Sequence, residues 1–472
     1  MSAKKFKIES DFSRSARLKR WVFLLLPRRV SVFLFRKFID GNRERNKLEA
    51  AKFLVDANKI YTSKYNFLLP KFLKFALDLG DTALPRGFVN VFAESLKQTR
   101  KNPSLRSAKC QEMIEQTKAL QREITSAQSW KLVSLALSGF GFIRAGTIAR
   151  NYCLEAAIAE VETGKFSNRT LHLAIRGLLE IRRFNEACDV IENHTSELDS
   201  NSTQKIYGDY LALLKQPRPK VPFDKAIDDS PEENLFRELI TKKSVAVVAT
   251  GEIRTISGTE IDAHDTVARV KFQGPQFLQP ADYAGTRCDV SLYTEDLVNK
   301  FDRKSFNNYS YFDFLSAVKL VVLKERLQTA VGKTPVKYLD TRAPTTLTTA
   351  TSGTLFIFDI LRAWPKKIFL VGFNFYTDSH VYNSGLLNLF QNTDELKEIG
   401  LPTNWFDLTT EQKTSSNIAC GFTAHDPKSD FLLVKNLYEL SGLIDGTPEV
   451  LAILNLTADE YDMKLETMLG DW

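Results

Sequence analysis

The chain has 472 residues, 43% of them hydrophobic and 26% charged, which fits a soluble globular protein with two or three packed domains. No apolar run approaches the length of a membrane-spanning helix, and no metal-ligand spacing links the five scattered cysteines, so a helical span and a disulfide framework are both excluded. The net charge of +7 belongs to the amino terminus: residues 1–50 carry 14 Lys and Arg against 5 Asp and Glu, which leaves the remainder slightly acidic.

Residues 1–46 alternate basic clusters with short apolar runs, Trp21–Leu26 and Val30–Phe35, flanked by Arg20, Arg28, Arg29, Arg36 and Lys37. Contact with an anionic membrane leaflet and packing of the apolar side on the next domain both remain open. No nucleic-acid-binding motif accompanies the charge, so no nucleic-acid partner is expected. Trp21–Leu26 is too short for a signal-peptide core and lacks a cleavage site, which points to a cytoplasmic protein, peripheral on the inner face of the membrane if the leaflet reading holds.

Residues 47–215 carry helical periodicity with few strand signals. Ile143-Arg144 and Ile181-Arg182 recur 38 residues apart in similar contexts, a hint of stacked helical hairpins of the tetratricopeptide kind. A domain for binding an acceptor or partner and a plain helical packing domain are both compatible with the pattern. Residues 216–234, rich in proline, read as a linker, and Ser230, Pro231 and Glu233 form a helix start of cap, first-turn proline and third-position acid.

From 235 to 472, strand and helix alternate. Strands are expected at Val245–Ala249, Asp265–Phe272, Cys288–Tyr293, Leu320–Leu323, Val336–Leu339 and Ile368–Val371, a pattern of a doubly wound parallel sheet. In such sheets ligands bind at the carboxyl ends of the strands. Thr250 and Gly251 follow the first strand. Thr351-Ser352-Gly353 open an amphipathic helix that Trp364-Pro365 ends, and such a first turn offers N–H and hydroxyl donors to an anion. There is no GxGxxG after the first strand and no GxxxxGK[ST], so neither a dinucleotide site nor a P-loop is supported. His425 stands just before Asp426-Pro427, the expected start of a helix that Gly442 stops. The positive end of a helix dipole favours a neutral imidazole, as a general base requires; a surface histidine beside a cap is the plainer alternative.

In combination these stretches resemble the sialyltransferases of glycosyltransferase family 29. Val245-Ala-Val-Val-Ala-Thr-Gly251, with Glu260-Ile-Asp-Ala-His264-Asp-Thr-Val-Ala-Arg269, is similar to the large sialyl motif. Thr351-Ser352-Gly353 through Gly372-Phe-Asn-Phe-Tyr376 corresponds to the small one. His380-Val-Tyr382 resembles the third motif, and His425 with Asp430 the last, His-x4-Glu, with Asp in place of Glu. Tyr283-Ala-Gly285-Thr-Arg-Cys288-Asp289 and the Thr351-to-Tyr376 segment also resemble the bacterial sialyltransferases of family 42. The resemblance spans roughly residues 243–445.

It implies a Rossmann-like, GT-A-like α/β catalytic module behind an all-α domain, and an inverting transferase working without a metal or other cofactor. Its partners would be a CMP-activated 2-keto sugar acid (sialic acid or Kdo) and a glycan or lipid-linked glycan acceptor. His425 would take the acceptor proton and His380 would stabilise the departing phosphate beside Tyr382. Thr351, Ser352 and Gly353 would hold CMP, with Thr250 and Gly251 opposite and Arg269 and Lys271 on the donor. The chain departs from the family at Ala249-Thr250-Gly251-Glu252, where Gly-Asn-Ser-Gly is usual, at Lys271, where Asn is usual, and in lacking the disulfide cysteines of the animal enzymes. The stretch from Thr377 to Ala424 reads as an acceptor-site lid or a plain insertion. A non-catalytic nucleotide-binding scaffold is the rival to the transferase reading.

Overall fold

A computed structural model describes residues 102–139, 141–198, 201–217, 219, 230–272, 279–293, 314–318, 334–339, 343–345, 350–378 and 425–468, with isolated positions between 88 and 99. The basic segment 1–46, the strand expected at Leu320–Leu323, His380 with Tyr382, and most of the Thr377–Ala424 stretch lie outside them. Leu84–Trp472 forms one compact unit, so the helices and the sheet described below belong to the same body.

Five short runs of β-branched and aliphatic residues build the centre of the sheet: β1 (Ser244–Val248), β2 (Thr266–Val270), β3 (Val290–Tyr293), β4 (Phe314–Val318) and β6 (Lys367–Val371). With β5 (Val336–Leu339) and β7 (Ile444–Gly446) they form, among the described residues, one seven-stranded sheet in the order β5-β4-β3-β2-β1-β6-β7. Every pairing is parallel. Four of the five residues of β1 and all of β2 are buried, as strands covered on both faces must be. The order reverses at β1: the chain steps outward from β1 to β5, then returns to lay β6 on the other side of β1. That β1/β6 junction is the topological switch point, where a crevice opens outside the carboxyl ends of the strands.

The described part of the amino-terminal half is helical: α1 (Arg106–Ala119), α2 (Ala127–Gly139), α3 (Ile143–Glu162), α4 (Asn168–Glu180), α5 (Phe184–Asn193) and α6 (Asn201–Leu213). Each of α3, α4 and α5 packs on its predecessor, while α7 (Pro231–Ile240) starts at a Ser230 cap that accepts the Glu233 N–H. Short helices α8 (Gly258–Asp262) and α9 (Ala281–Ala284) follow β1 and precede β3.

The helix after the Thr351-Ser352-Gly353 turn, α10 (Ser352–Arg362), corrects an expectation. Its sequence reads as amphipathic, yet every residue from Thr354 to Leu361 is buried. One side faces the sheet and the other is covered by α6, whose Tyr210 ring meets Phe358 edge-on and whose Asp209 pairs with Arg362 at 2.8 Å. An all-round apolar helix is a core helix. Its one acid, Asp359, is neutralised at 2.9 Å by Lys337, which also reaches Glu233 at 2.7 Å. The first turn of α11 (Pro427–Ser441) is likewise buried, from Pro427 to Phe431, and Gly442 ends the helix in the left-handed conformation at φ 71°. Two terminal helices, α12 (Pro448–Leu454) and α13 (Ala458–Met468), close the fold; Arg144 of α3 is tied to Glu466 of α13 at 2.6 Å.

Candidate functional site

The stretches after β1 and β6 approach at backbone level. Ala249 N–H donates to Val371 O at 2.8 Å and Gly251 N–H to Gly372 O at 3.2 Å, which carries the strand pairing past the sheet's edge. A Cβ on Gly251 would stand 2.3 Å from Gly372 O, and Gly372 itself has φ +70°, so the sequence must supply glycine at both places. Beyond Gly372, Asn374 holds the turn by accepting Tyr376 N–H at 3.1 Å, and Phe375 and Tyr376 sit at φ 44° and 62°. Lys271, at the end of β2, has φ 59°. Left-handed backbone in lysine and aromatic residues costs about 1–3 kcal/mol each and clusters at functional sites. Of the seven non-glycine residues in this conformation among the described residues, these three lie on the carboxyl edge of the sheet, whereas Arg182 and Lys215 follow helices and Lys242 and Trp364 lie at the sheet's amino edge.

The first turn of α10 abuts this edge. A Cβ on Gly353 would lie 3.0 Å from the Phe373 ring, a tight contact that glycine avoids as the helix approaches the strand end. Thr351 caps the helix by accepting Thr354 N–H, and Thr351, Ser352 and Gly353 are half-buried where the rest of the helix is sealed. The start of α11 closes the other side. Asp430 Oδ2 accepts Thr351 N–H at 2.9 Å, and Tyr461 of α13 donates to Phe375 O at 2.8 Å while lying 3.2 Å from Pro427 O. The structure thus brings Gly251, the Thr351–Gly353 turn and Asp430 to the switch point, with Thr250 and Lys271 on the same edge, while the half-buried His425 stands just before the Asp426 cap of α11.

Arg269 is placed differently from its expected donor-binding role. Its guanidinium is buried and donates to the carbonyls of Ala284 and Arg287, so it shapes the turn before β3 instead of facing the crevice. Other polar residues of that motif likewise hold turns, some of them at the surface. Asp262 accepts the N–H groups of Thr286 at 2.8 Å and Arg287 at 3.0 Å, and Asp265 accepts Ser244 N–H at 2.8 Å. His264 Nδ1–H donates to Glu260 O at 2.8 Å and its ring stacks on Phe369, at the amino end of the strands and away from the crevice.

Electrostatics around the start of α11 are unusual. Burial pushes the Asp430 carboxyl up to about 8; Thr351 N–H draws it back and the nearby Asp426 carboxylate adds to the rise. Arg150, from α3, is buried against Glu180 of α4, Ser429 and Asp426; burial opposes its charge, but Glu180 and then Asp426 more than offset this. Burial, followed by Arg169, pushes Lys131 of α2 down to about 8, with Cys153 and Asp426 acting the other way. Arg150 and Glu180 are missed by reading the sequence: inside helical periodicity, nothing distinguishes them from solvent-facing charges.

Among the described residues no group of three or more His, Cys, Asp or Glu side chains is arranged to hold a metal ion, and no helix is long and apolar enough to cross a membrane. No protein-family model, curated protein or solved structure matches the chain.

Proposed function

We propose that this chain is an inverting glycosyltransferase that moves a 2-keto sugar acid, sialic acid or Kdo, from its CMP donor to a glycan hydroxyl. The observation that carries the reading is the meeting of three features at the β1/β6 switch point: the half-buried first turn of α10, the Gly251–Gly372 approach and the start of α11, whose Asp430 reaches that turn. The donor's phosphate and carboxylate need N–H and hydroxyl donors, which the Thr351-Ser352-Gly353 turn offers at the positive end of a helix. Thr250 and Gly251 line the facing side. The acceptor oxygen attacks the anomeric carbon from the face opposite the phosphate, the carbon–oxygen bond to CMP breaks, and His425 takes the acceptor's proton as the new bond forms. The resemblance adds His380 and Tyr382 at the departing phosphate, a GT-A-like classification of the sheet and an all-α character for the amino-terminal half. The charge of residues 1–46 adds peripheral attachment to an anionic leaflet.

The reading is tested by CMP release from CMP-sialic acid and CMP-Kdo in parallel, with wild type and His425→Ala. Release from one donor is expected, reduced about 10²–10⁴-fold in the variant as for loss of a general base. Release from neither donor, with mixed glycans present as acceptors, would overturn it in favour of a nucleotide-binding scaffold.

A further inference from the structure

A buried arginine crosses from the helical half to the start of α11. Arg150 is 4% exposed and Glu180 7% exposed, and the two meet through both guanidinium NH₂ groups and both carboxylate oxygens. One of those nitrogens also donates to Ser429 Oγ and lies 3.4 Å from Asp426 Oδ2. The Ser429 hydroxyl stands 3.0 Å from Glu180 Oε2, 2.8 Å from Asp426 Oδ2 and 3.1 Å from Thr345 O. One guanidinium therefore ties α3, α4 and the first turn of α11, and through Ser429 the chain leading into α10.

Stability alone does not account for such a group. Replacing a buried ion pair by apolar side chains of similar size is often neutral or stabilising, whereas its fixed fork geometry constrains both the position and the angle of what it holds. What it holds is the residue after His425. Asp426 Oδ1 caps α11 by accepting Ser429 N–H at 3.1 Å, and Oδ2 faces Arg150, so the arginine sets the rotation of the cap. The cap in turn fixes the backbone at φ −124° and ψ 80°, from which His425 leaves the helix.

We propose that Arg150 and Glu180 are positioning residues: they reach across from the helical half to fix the Asp426 cap and thereby aim His425 at the first turn of α10. This rests on the transferase reading for its meaning, but its geometry can be read without any activity.

The experiment uses the full chain as wild type, as Arg150→Lys, which keeps the charge and loses the fork, and as Arg150→Met with Glu180→Leu, which leaves no buried charge unpaired. Each is followed by thermal unfolding, by the imidazole NMR signals of ¹³C-labelled histidine, and by CMP release. The His425 signal is the one lost in His425→Gln. In the double variant cooperative unfolding is retained, the His425 signal moves or broadens, and those of His194 and His264 stay in place. The turnover number falls about 10²-fold, the scale expected for an ångström of misplacement, while the donor KM changes little. A folded double variant with an unmoved His425 signal overturns the proposal, as does loss of folding in both variants, which would make the pair a matter of stability. If wild type releases no CMP the transferase reading fails, and the His425 signal still decides the positioning role.

Discussion

Asp430 presents a carboxyl to the first turn of α10, where the transferase reading puts the donor's anionic groups. Ionised, it would occupy the helix dipole and repel a phosphate; neutral, it leaves that turn able to accept one. With its folded value raised from 3.8 to about 8, the folded chain holds a proton that the unfolded chain releases between those two values. The stability it contributes is complete below about pH 4 and is lost as the pH rises through about 8, at up to about 1.4 kcal/mol per pH unit within that window. Asp430→Asn is therefore expected to melt with a flatter pH dependence than wild type between pH 5 and 9, and to retain CMP affinity at pH 9 where wild type loses it. Parallel melting profiles would mean that Asp430 is ionised in the fold. At this scale the sequence is informative where chemistry is local: the Thr351 cap and the Asp426-Pro427 start follow from neighbours three residues apart. It is silent on Arg150, whose partners lie 30 and 276 residues away.

Elements were legible in proportion to how much of their signal is internal. The apolar runs of β1, β2 and β6 announce themselves, and Gly442 marks the end of α11 because a left-handed cap needs it. The three-residue β7 carries too little pattern to stand out, and α10 reads as amphipathic because a single buried acid imitates a polar face. Only its partner Lys337 on β5 and the cover of α6 show otherwise. Arg269 reads as a donor-binding residue for a similar reason: polar residues that hold turns are indistinguishable in sequence from polar residues that meet a ligand. The junction of β1 with β6 gives the sharpest test of the site at this scale. Gly251→Ala would drive a methyl into Gly372 O and is expected to cost about 1–3 kcal/mol as overpacking, together with a loss of CMP binding by calorimetry. Gly164→Ala, in open space but at φ +70°, carries the left-handed backbone cost far from the junction and should leave binding unchanged. Equal binding by the two variants would remove the junction from the site.

At the scale of the described molecule, the amino-terminal helices complete the core of the α/β part. Phe358 and Arg362 of α10 meet α6, Arg182 at the end of α4 reaches Asn436 of α11 at 2.9 Å, and α3 docks on α13. A chain cut to residues 230–472 would expose the apolar outer side of α10, and is expected to bind a hydrophobic dye and to lose its sharp thermal transition. A dye-silent, cooperatively melting fragment would show that the helices are an appended domain. The arrangement also has a consequence during synthesis. The helical half is made first, and its Arg150–Glu180 pair can close as soon as α4 emerges, but the far side of that contact is 276 residues downstream. Asp426 follows Glu180 by 246 residues (426 − 180), so at about 5–20 residues per second the ribosome needs roughly 12–49 s to deliver it. For that interval the face of α3 and α4 that packs on α11 in the folded chain waits for α11, and apolar surface left exposed during synthesis is prone to aggregation.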